Sequence, residues 1–248
     1  MPRNGRQQSE SNIYHVVARG SGRCVIFEDD KDRTYFLEEL ASIFAKKEVE
    51  IHAWCLMSNH YHLLVRANLE QLAVAMRNLN STYASYFNKR HGRIGHLFQG
   101  RFKSEAVGED EYYLTVLRYI HHNPQKAGIC PGSEYRWSSY SEYVGSKGFS
   151  KTDLGLDMLG GVKAFEELHM LSSDGMACLD IGSGRRFVDD DDAMAIAKAA
   201  LPGTRIESIA KLGKDERDEA IRTLRAARLS IRQIERLTGI GRNIVAKA

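Results

Sequence analysis

The pattern of apolar and polar positions predicts a mixed sheet-and-helix domain over residues 1–145. Four segments are rich in β-branched and aromatic residues, as strands are, and three others repeat apolar residues every three or four positions, as helices do. The predicted strands are residues 12–18, 49–57, 60–66 and 104–107, and the predicted helices are 30–47, 69–87 and 109–122. This order is ferredoxin-like. We therefore expect an α+β fold, an antiparallel sheet with helices on one face, with histidines at 60 and 62 on the other.

Residues 146–200 differ in composition from the part before them. Four glycines between 145 and 160 predict a linker, and residues 161–200 are helical in part. Residues 151–200 contain ten acidic and five basic side chains, a net charge of −5. The aspartate run at 189–192 is typical of a helix N-terminus or a solvated turn rather than of a metal site. We predict domain boundaries at 1–145, 146–200 and 201–248.

The last residues predict a small all-α region with a basic surface. Residues 217–248 contain eight basic and three acidic side chains, a net charge of +5. A helix at 218–228 precedes a second helix at 231–237, which Ser230 can cap, and Gly239 suits a tight turn before a last helix at 242–248. This pattern predicts a helix-turn-helix that binds DNA, against the alternative of a three-helix cap without a ligand. Its candidate base-reading residues are Arg242, Asn243 and Lys247.

Composition narrows the class of protein only modestly. The net charge of +3 is weak support for nucleic-acid binding, and a hydrophobic content of 43% is that of an ordinary globular protein. The four cysteines form no Cys-x-x-Cys pair, so reduced thiols in a cytosol are the simplest interpretation. The polar N-terminus predicts no signal peptide, and no apolar run suffices to cross a bilayer. We therefore expect a cytoplasmic protein without a membrane partner.

Two histidines in one predicted strand form the first half of a candidate site. His60 and His62 are two positions apart, so their side chains share one face of an extended strand, with Tyr61 on the other. Ser58 and Asn59 predict a tight turn before them. Two neutral imidazoles on one face suit a divalent metal. An ordinary strand with two surface histidines is the alternative.

Two basic loops are candidate phosphate contacts. Arg19 and Arg23 flank a glycine-bearing turn after the first strand. Arg101 and Lys103 end a segment, residues 91–103, that combines basic, glycine and aromatic residues. Such segments stack on bases and contact phosphates, although the same aromatics are equally suited to anchoring a loop to the core.

The third predicted helix supplies the second half of the site. Tyr119 and Asn123 are four residues apart and share a helical face, which we expect to differ from the apolar face. A phenol beside a bound cation is a candidate nucleophile for phosphoryl transfer, and Asn123 offers an amide ligand. Tyr112 lies on nearly the same face, and it competes with Tyr119, as does Tyr113. Pro124 is expected to end or kink the helix.

With both halves in view, the chain resembles the single-tyrosine HUH transposases of the insertion-sequence type, and most of all those associated with repetitive extragenic palindromes (REP). The resemblance covers roughly the first 145 residues. It rests on an ordered series of segments: Tyr14-His-Val-Val-Ala-Arg-Gly20, Ile26-Phe27, Asp32-Arg33, Ala53-Trp-Cys-Leu-Met-Ser-Asn-His-Tyr-His-Leu-Leu64, Phe98-Gln-Gly-Arg-Phe-Lys103, Arg118-Tyr-Ile-His-His-Asn-Pro124 and Trp137-Ser-Ser-Tyr140.

The resemblance implies a metal-dependent DNA strand nickase and joiner that acts on single-stranded DNA with hairpins. His60 and His62 correspond to metal ligands for Mg²⁺ or Mn²⁺, and Asn123 stands where relatives carry a helix-borne third ligand. Tyr119 corresponds to the nucleophile that forms a 5′-phosphotyrosine link and leaves a 3′-hydroxyl. Relatives work either as monomers or as homodimers that exchange helices, so both arrangements stay open.

Two other functions compete with this hypothesis. The chain is a non-catalytic DNA-binding regulator if the basic C-terminal region binds duplex DNA and the histidine domain is inactive. It is a metal-dependent hydrolase of small phosphate esters if turnover proceeds without a covalent intermediate.

Overall fold

The computed structural model describes residues 8–171, 178–179, 190–227, 229 and 231–247. The chain divides into two compact units, residues 1–26 with 30–183, and residues 27–29 with 184–248. The first is an α+β unit, and the described part of the second is helical.

The first unit is built on a four-stranded antiparallel sheet. Its strands are β1 (Ile13–Arg19), β2 (Glu50–Met57), β3 (His60–Arg66) and β4 (Lys103–Val107), in the order β2-β3-β1-β4. The connecting helices are α1 (Asp30–Lys46) and α2 (Leu69–Arg90), and α3 (Asp110–Lys126) follows β4. The ferredoxin-like strand order confirms the predicted fold class.

The two faces of the sheet are covered by different helices. The Tyr61 ring packs against Phe36 of α1, and its hydroxyl donates to Asn80 of α2, so both helices lie on that face. His62, the next residue of β3, points to the opposite face because side chains alternate along a strand. Helix α3 covers that opposite face, where Val116 and Ile120 join a core with sheet residues. The paired histidines therefore lie opposite α1 and α2, as predicted, but helices are not confined to one face, because α3 packs over the histidines.

Helix α3 continues past the proline that we expected to end or kink it. Pro124 lies inside the helix, which ends only at Lys126. A proline has no N–H for the carbonyl four residues earlier, here that of Ile120. The Asn123 side-chain nitrogen lies 3.4 Å from that carbonyl oxygen and 2.9 Å from that of Tyr119, so the amide donates where the proline cannot.

The segment that we predicted as a linker contains helices packed on α3. After the short helix α4 (Tyr140–Tyr143), α5 spans Asp153–Leu159 and α6 spans Val162–Met170. A Cβ on Gly155 would lie 3.1 Å from both Leu117 and Tyr143, so glycine permits this close approach. The fully buried Phe165 stacks on Tyr143 with ring centroids 4.7 Å apart. The first unit therefore extends beyond the predicted boundary at 145.

Histidines hold α6 against α3 through hydrogen bonds of fixed direction. His169 Nδ1 donates to the carbonyl of Phe165 at 2.8 Å, which leaves its Nε2 to accept from His121 Nδ1 at 3.1 Å. His121 Nε2 then accepts from the Ser139 hydroxyl at 2.9 Å. His122 Nε2 donates to the His169 carbonyl at 2.9 Å. Burial lowers the pKa of His169 to about 4, so its imidazole is neutral at pH 7 and the bonds take these directions.

The described part of the second unit is a cluster of short helices. These are α7 (Asp190–Ala200), α8 (Lys214–Ala226), α9 (Ile231–Thr238) and α10 (Arg242–Lys247), with a 3₁₀ helix at Ile206–Lys211. Their core contains Ile221, Ile234 and Val245. Gly239 has a φ of 73°, which glycine adopts at little cost in the turn before α10. Arg228, Ser230 and Ala248, which entered the predicted helices, lie outside the described residues, as does Asp189.

Within the described ranges, no helix is both long and apolar enough to cross a membrane. Two further 3₁₀ turns, Ser21–Arg23 and Gly132–Glu134, complete the first unit.

The neutral state of His169 predicts a pH-dependent part of the free energy of unfolding. Between the ordinary pKa of 6.5 and the folded pKa of about 4, the unfolded chain binds the proton more readily, so stability falls as pH falls. His169→Gln removes this part, so acidification from pH 7.5 to 5 should cost the variant less, by on the order of 1–2 kcal/mol. Urea unfolding at both pH values measures the difference, with His96→Gln at an exposed loop position as the matched control. Equal pH dependence in His169→Gln and the wild-type protein would contradict the assignment.

Candidate active site

His60 and His62 lie side by side near the start of β3. Their ring centroids are 5.0 Å apart with the planes 78° from parallel. The two residues Ser58 and Asn59 separate β2 from β3, which confirms the predicted tight turn. His62 is fully buried, and His60 is half-buried at the end of the sheet.

The turn residue fixes the proton of His60. Its Nδ1 lies 2.7 Å from Asn59 Oδ1, and because an amide oxygen only accepts, Nδ1 must carry the hydrogen. The neutral ring then has its lone pair on Nε2. A hydrogen bond of this kind on the second nitrogen orients a histidine that ligates a metal.

His15 of β1 plays the corresponding part for His62. His15 Nε2 and His62 Nδ1 are 3.0 Å apart, and the rings stack with centroids 5.2 Å apart. His62 Nε2 is buried without a hydrogen-bond partner, which is costly for a polar atom unless a ligand uses it. Burial lowers the pKa of His15 to about 3 and that of His62 well below 6.5, with His60, His15 and Lys126 adding to the effect on His62. Both rings are therefore neutral at physiological pH.

Tyr119 of α3 meets these imidazoles directly. Its ring makes edge contacts with His62 and His15, at centroid distances of 5.6 and 5.8 Å. The Lys126 ammonium lies 4.3 Å from the centroid of the Tyr119 ring. Tyr119 is only 1% exposed and belongs to the same core as Ile120. The expectation that Tyr119 lies off the apolar face is therefore wrong, because α3 is covered on more than one side.

The structure separates Tyr119 from the two competing tyrosines. The Tyr112 hydroxyl donates to Glu105 at 2.6 Å, and the Tyr113 hydroxyl lies 2.8 Å from His52 Nδ1. Neither ring has a described contact with the paired histidines, whereas Tyr119 touches His62. The geometry therefore favours Tyr119.

Asn123 lies one turn beyond Tyr119 and is 8% exposed. Its amide nitrogen bonds the carbonyls of Tyr119 and Ile120, so only its oxygen remains to act as a ligand. Among the described residues, no group of three or more His, Cys, Asp or Glu side chains is arranged to hold a metal. A cation on His60 and His62 would therefore need oxygen ligands such as the Asn123 amide or a phosphate. The unpaired His62 nitrogen and the neutral rings fit such a cation.

The predicted phosphate-contacting residues fall in both units. Arg19 pairs with His60 across β1 and β3, and its guanidinium donates to Gln99 Oε1 at 3.2 Å. Lys103 pairs with Val17 at the same end of the sheet, and Arg23 and Arg101 lie in the adjoining loops. Arg242, Asn243 and Lys247 are exposed on α10 of the second unit.

Three residues that contact the site were missed by the sequence reasoning. His15 is a polar residue inside an apolar strand, a signal that it needs a buried partner, but only the strand register shows that the partner is His62. Lys126 was missed because the third predicted helix ended at residue 122. Gln99 lies in a segment that gave no sign of its pairing with Arg19.

A ferredoxin-like sheet, paired histidines and a helix-borne tyrosine thus occur together in the first unit. Residues 8–123, slightly under half of the chain, match the model of the family described as "Transposase IS200 like". No curated protein matches the chain.

Two solved structures are similar to the chain. One is a REP-associated tyrosine transposase bound to a REP hairpin, at 18% identity and a TM-score of 0.50, over 62% of this chain and 90% of the other. The second was described as a candidate transposase from Deinococcus radiodurans R1, at 17% identity and a TM-score of 0.35, over 49% of this chain and 97% of the other. At these identities the first likeness shows a shared fold.

Substitution separates the hydrogen bonds donated by the Asn123 amide from the predicted role of its oxygen as a metal ligand. Asn123→Asp keeps an oxygen ligand but loses the two donated hydrogen bonds, so the free energy of unfolding should fall by about 1–2 kcal/mol. Divalent-metal binding should persist, because a carboxylate is an equally suitable ligand. Urea unfolding and Mn²⁺ titration measure the two effects, with Asn123→Ala as the variant that loses both. A stable Asn123→Asp protein would show that the hydrogen bonds to the carbonyls contribute nothing.

Proposed function

We propose that the chain is a metal-dependent single-strand DNA endonuclease and strand transferase that acts on hairpin-bearing DNA through a 5′-phosphotyrosine intermediate. The observation that carries the proposal is the contact between the Tyr119 ring and His62 at 5.6 Å. It lies between a nucleophile-competent side chain and the imidazole pair, of which burial keeps His62 neutral. The solved relative that shares the fold is bound to a REP hairpin, which supports a hairpin substrate for this chain.

His60, His62 and the Asn123 amide oxygen would hold the cation, Mg²⁺ or Mn²⁺. When bound, such an ion polarises a non-bridging phosphate oxygen and makes phosphorus more electrophilic. The Asn59 and His15 hydrogen bonds orient the two imidazoles.

Tyr119 supplies the nucleophile. Its oxygen forms a bond to phosphorus as the bond from phosphorus to the 3′-oxygen breaks, and the phenolic proton leaves to solvent while the 3′-oxygen takes one up. The products are a 5′-phosphotyrosine and a 3′-hydroxyl. Attack of a second 3′-hydroxyl on the same phosphorus reverses the step and joins strands, so one tyrosine serves for both cleavage and transfer.

The burial of Tyr119 requires a movement before the reaction. A side chain that is 1% exposed is out of reach of a phosphate, so the groups over it must be displaced. Lys126 is one such group, because its ammonium lies against the ring and its side chain is exposed. Tyr119 contacts histidines of its own chain, which supports a reaction within one subunit.

Binding of duplex DNA by the C-terminal region is a second candidate function. On α10, Val245 is buried, whereas Arg242, Asn243 and Lys247 are exposed. Arg242 Nε lies 2.5 Å from Glu235 Oε2 of α9, which orients the guanidinium. The guanidinium has further N–H donors that can contact a phosphate. Helix α9, the turn at Gly239 and α10 support a helix-turn-helix arrangement. A chain that used only this surface would be a regulator rather than an enzyme.

Covalent trapping tests the assignment of Tyr119. Incubation with Mn²⁺ and a hairpin-bearing single strand should give a protein–DNA adduct with the wild-type protein and none with Tyr119→Phe, because the phenol oxygen is lost. Tyr112→Phe should form the adduct, since that hydroxyl bonds Glu105 instead. Denaturing gels and mass spectrometry of the linked peptide measure the adduct.

Chelation of the metal should also abolish the adduct. Turnover of phosphate esters without any adduct would favour the hydrolase hypothesis instead, and adduct that persists in Tyr119→Phe would reject Tyr119 as the nucleophile.

Salt dependence tests the C-terminal surface. In the full chain, Arg242→Ala and Lys247→Ala should each lower the slope of log affinity for duplex DNA against log salt by about 1, the value for one lost phosphate contact. Lys214→Ala, an exposed lysine of α8, is the matched control and should leave the slope unchanged. Slopes equal to that of the wild-type protein in both test variants would exclude α10 as the duplex-binding surface.

A further inference from the structure

An isoleucine at the tip of the loop between α2 and β4 projects almost fully into solvent. Ile94 is 98% exposed. Its neighbours Gly92 and Gly95 have φ values of 58° and 99°, which other residues rarely adopt, so the backbone is shaped by glycine on both sides. A single exposed apolar residue is common on proteins and is not by itself a site. The construction of this loop and its surroundings provide the further observations.

Side chains hold the tip in one arrangement. Asn88 Nδ2 donates to the Gly95 carbonyl at 2.9 Å, and the Arg93 backbone N–H donates to the Asn88 carbonyl at 2.9 Å. The Arg93 guanidinium contacts Cys24 Sγ at 2.9 Å and the His96 carbonyl at 3.5 Å. A loop without a role needs no such network to keep an isoleucine in water.

The loop adjoins the histidine end of the sheet. Ser21 N donates to the Leu97 carbonyl at 2.7 Å, and Gln99 N donates to the Arg19 carbonyl at 2.8 Å. Arg19 is the partner of His60 across β1 and β3. These hydrogen bonds therefore attach the base of the loop to the end of β1 beside His60. Leu97 and Phe102 of the same loop are buried.

The charge around the loop fits a nucleic acid. From residue 71 to 104 the sequence contains six Lys or Arg residues and no Asp or Glu. Lys89, Arg101 and Lys103 are exposed there. A basic segment that presents one apolar tip is the combination with which proteins neutralise phosphates and unstack a base step.

We propose that Ile94 inserts at the base of the DNA hairpin, between the last stem pair and the unpaired strand that enters the histidine site. The proposal rests on the proposed function for its substrate. A strand at the histidines must be single to be cleaved, and an apolar side chain at the junction keeps the terminal pair from stacking on it. The surrounding cations meet the phosphates on either side.

The test uses hairpin DNA with 2-aminopurine at the junction, a base whose fluorescence rises when it unstacks. Binding of the full chain should raise the signal. Ile94→Ser should lose this rise and bind the hairpin roughly tenfold more weakly, the scale of losing the burial of an aliphatic side chain. Ile94→Leu should restore both. Met170→Ser, at an apolar position that is 82% exposed in α6, is the matched control and should behave as the wild-type protein does.

The outcomes separate this proposal from the proposed function. A protein that forms the covalent adduct but gives no junction signal, or an Ile94→Ser variant with the full signal, overturns the inserted isoleucine alone. A junction signal that depends on Ile94 without any adduct supports the insertion and rejects strand cleavage. The fluorescence of a 2-aminopurine in the middle of the stem should not rise on binding. A rise there as large as that at the junction would also overturn the proposal.

Discussion

The packing of α3 onto the histidine face of the sheet is the interaction on which the candidate site depends. It removes His15 and His62 from water, and an imidazole without water is easier to keep neutral than charged. A neutral imidazole has a lone pair for a cation, whereas a protonated one repels it. The same packing brings Tyr119 against both rings. One packing contact thus keeps His62, a proposed ligand, neutral and sets the position of Tyr119, the proposed nucleophile.

This arrangement buries polar atoms that the stability of the fold does not require. His62 Nε2 and His15 Nδ1 are buried without hydrogen-bond partners, at a cost of about 1–3 kcal/mol for each such group. Two apolar residues in these positions would avoid the cost and fill the same core. The unpaired histidine atoms therefore lower the stability of the fold. Such a loss of stability is usual where a functional site places polar groups inside a hydrophobic core.

The fold was predictable because its signals are local. Alternation gives the strands, three- and four-residue spacing gives the helices, and the Asn68 side-chain oxygen caps α2 by accepting a hydrogen bond from Gln71 N. The contacts across elements were not predictable in this way. The hydrogen bond of His15 with His62 depends on a strand register, and the burial of Tyr119 depends on its contacts with His15, His62 and Lys126. The sequence thus indicated which residue types carry the chemistry but not which of them touch.

The passage of α3 through Pro124 shows how local rules are overridden. A proline costs a helix one hydrogen bond, and here the preceding asparagine replaces it from the side chain. The extra turn places Lys126 over the Tyr119 ring, where a helix that ended at 122 would have left the ring uncovered. A residue that was predicted as a metal ligand is therefore also what allows the helix to continue.

Helix α3 is held on two sides, and this constrains how Tyr119 becomes accessible. Toward the sheet its apolar residues join the core, and toward α6 the hydrogen bonds of His121 and His122 to His169 resist displacement. Moving the whole helix would break both sets of contacts, whereas moving Lys126 or rotating Tyr119 breaks only a few. Side-chain movement is thus the less costly route to an exposed phenol. The contacts on both sides of α3 therefore agree with the proposal that Tyr119 acts beside the histidines of its own chain.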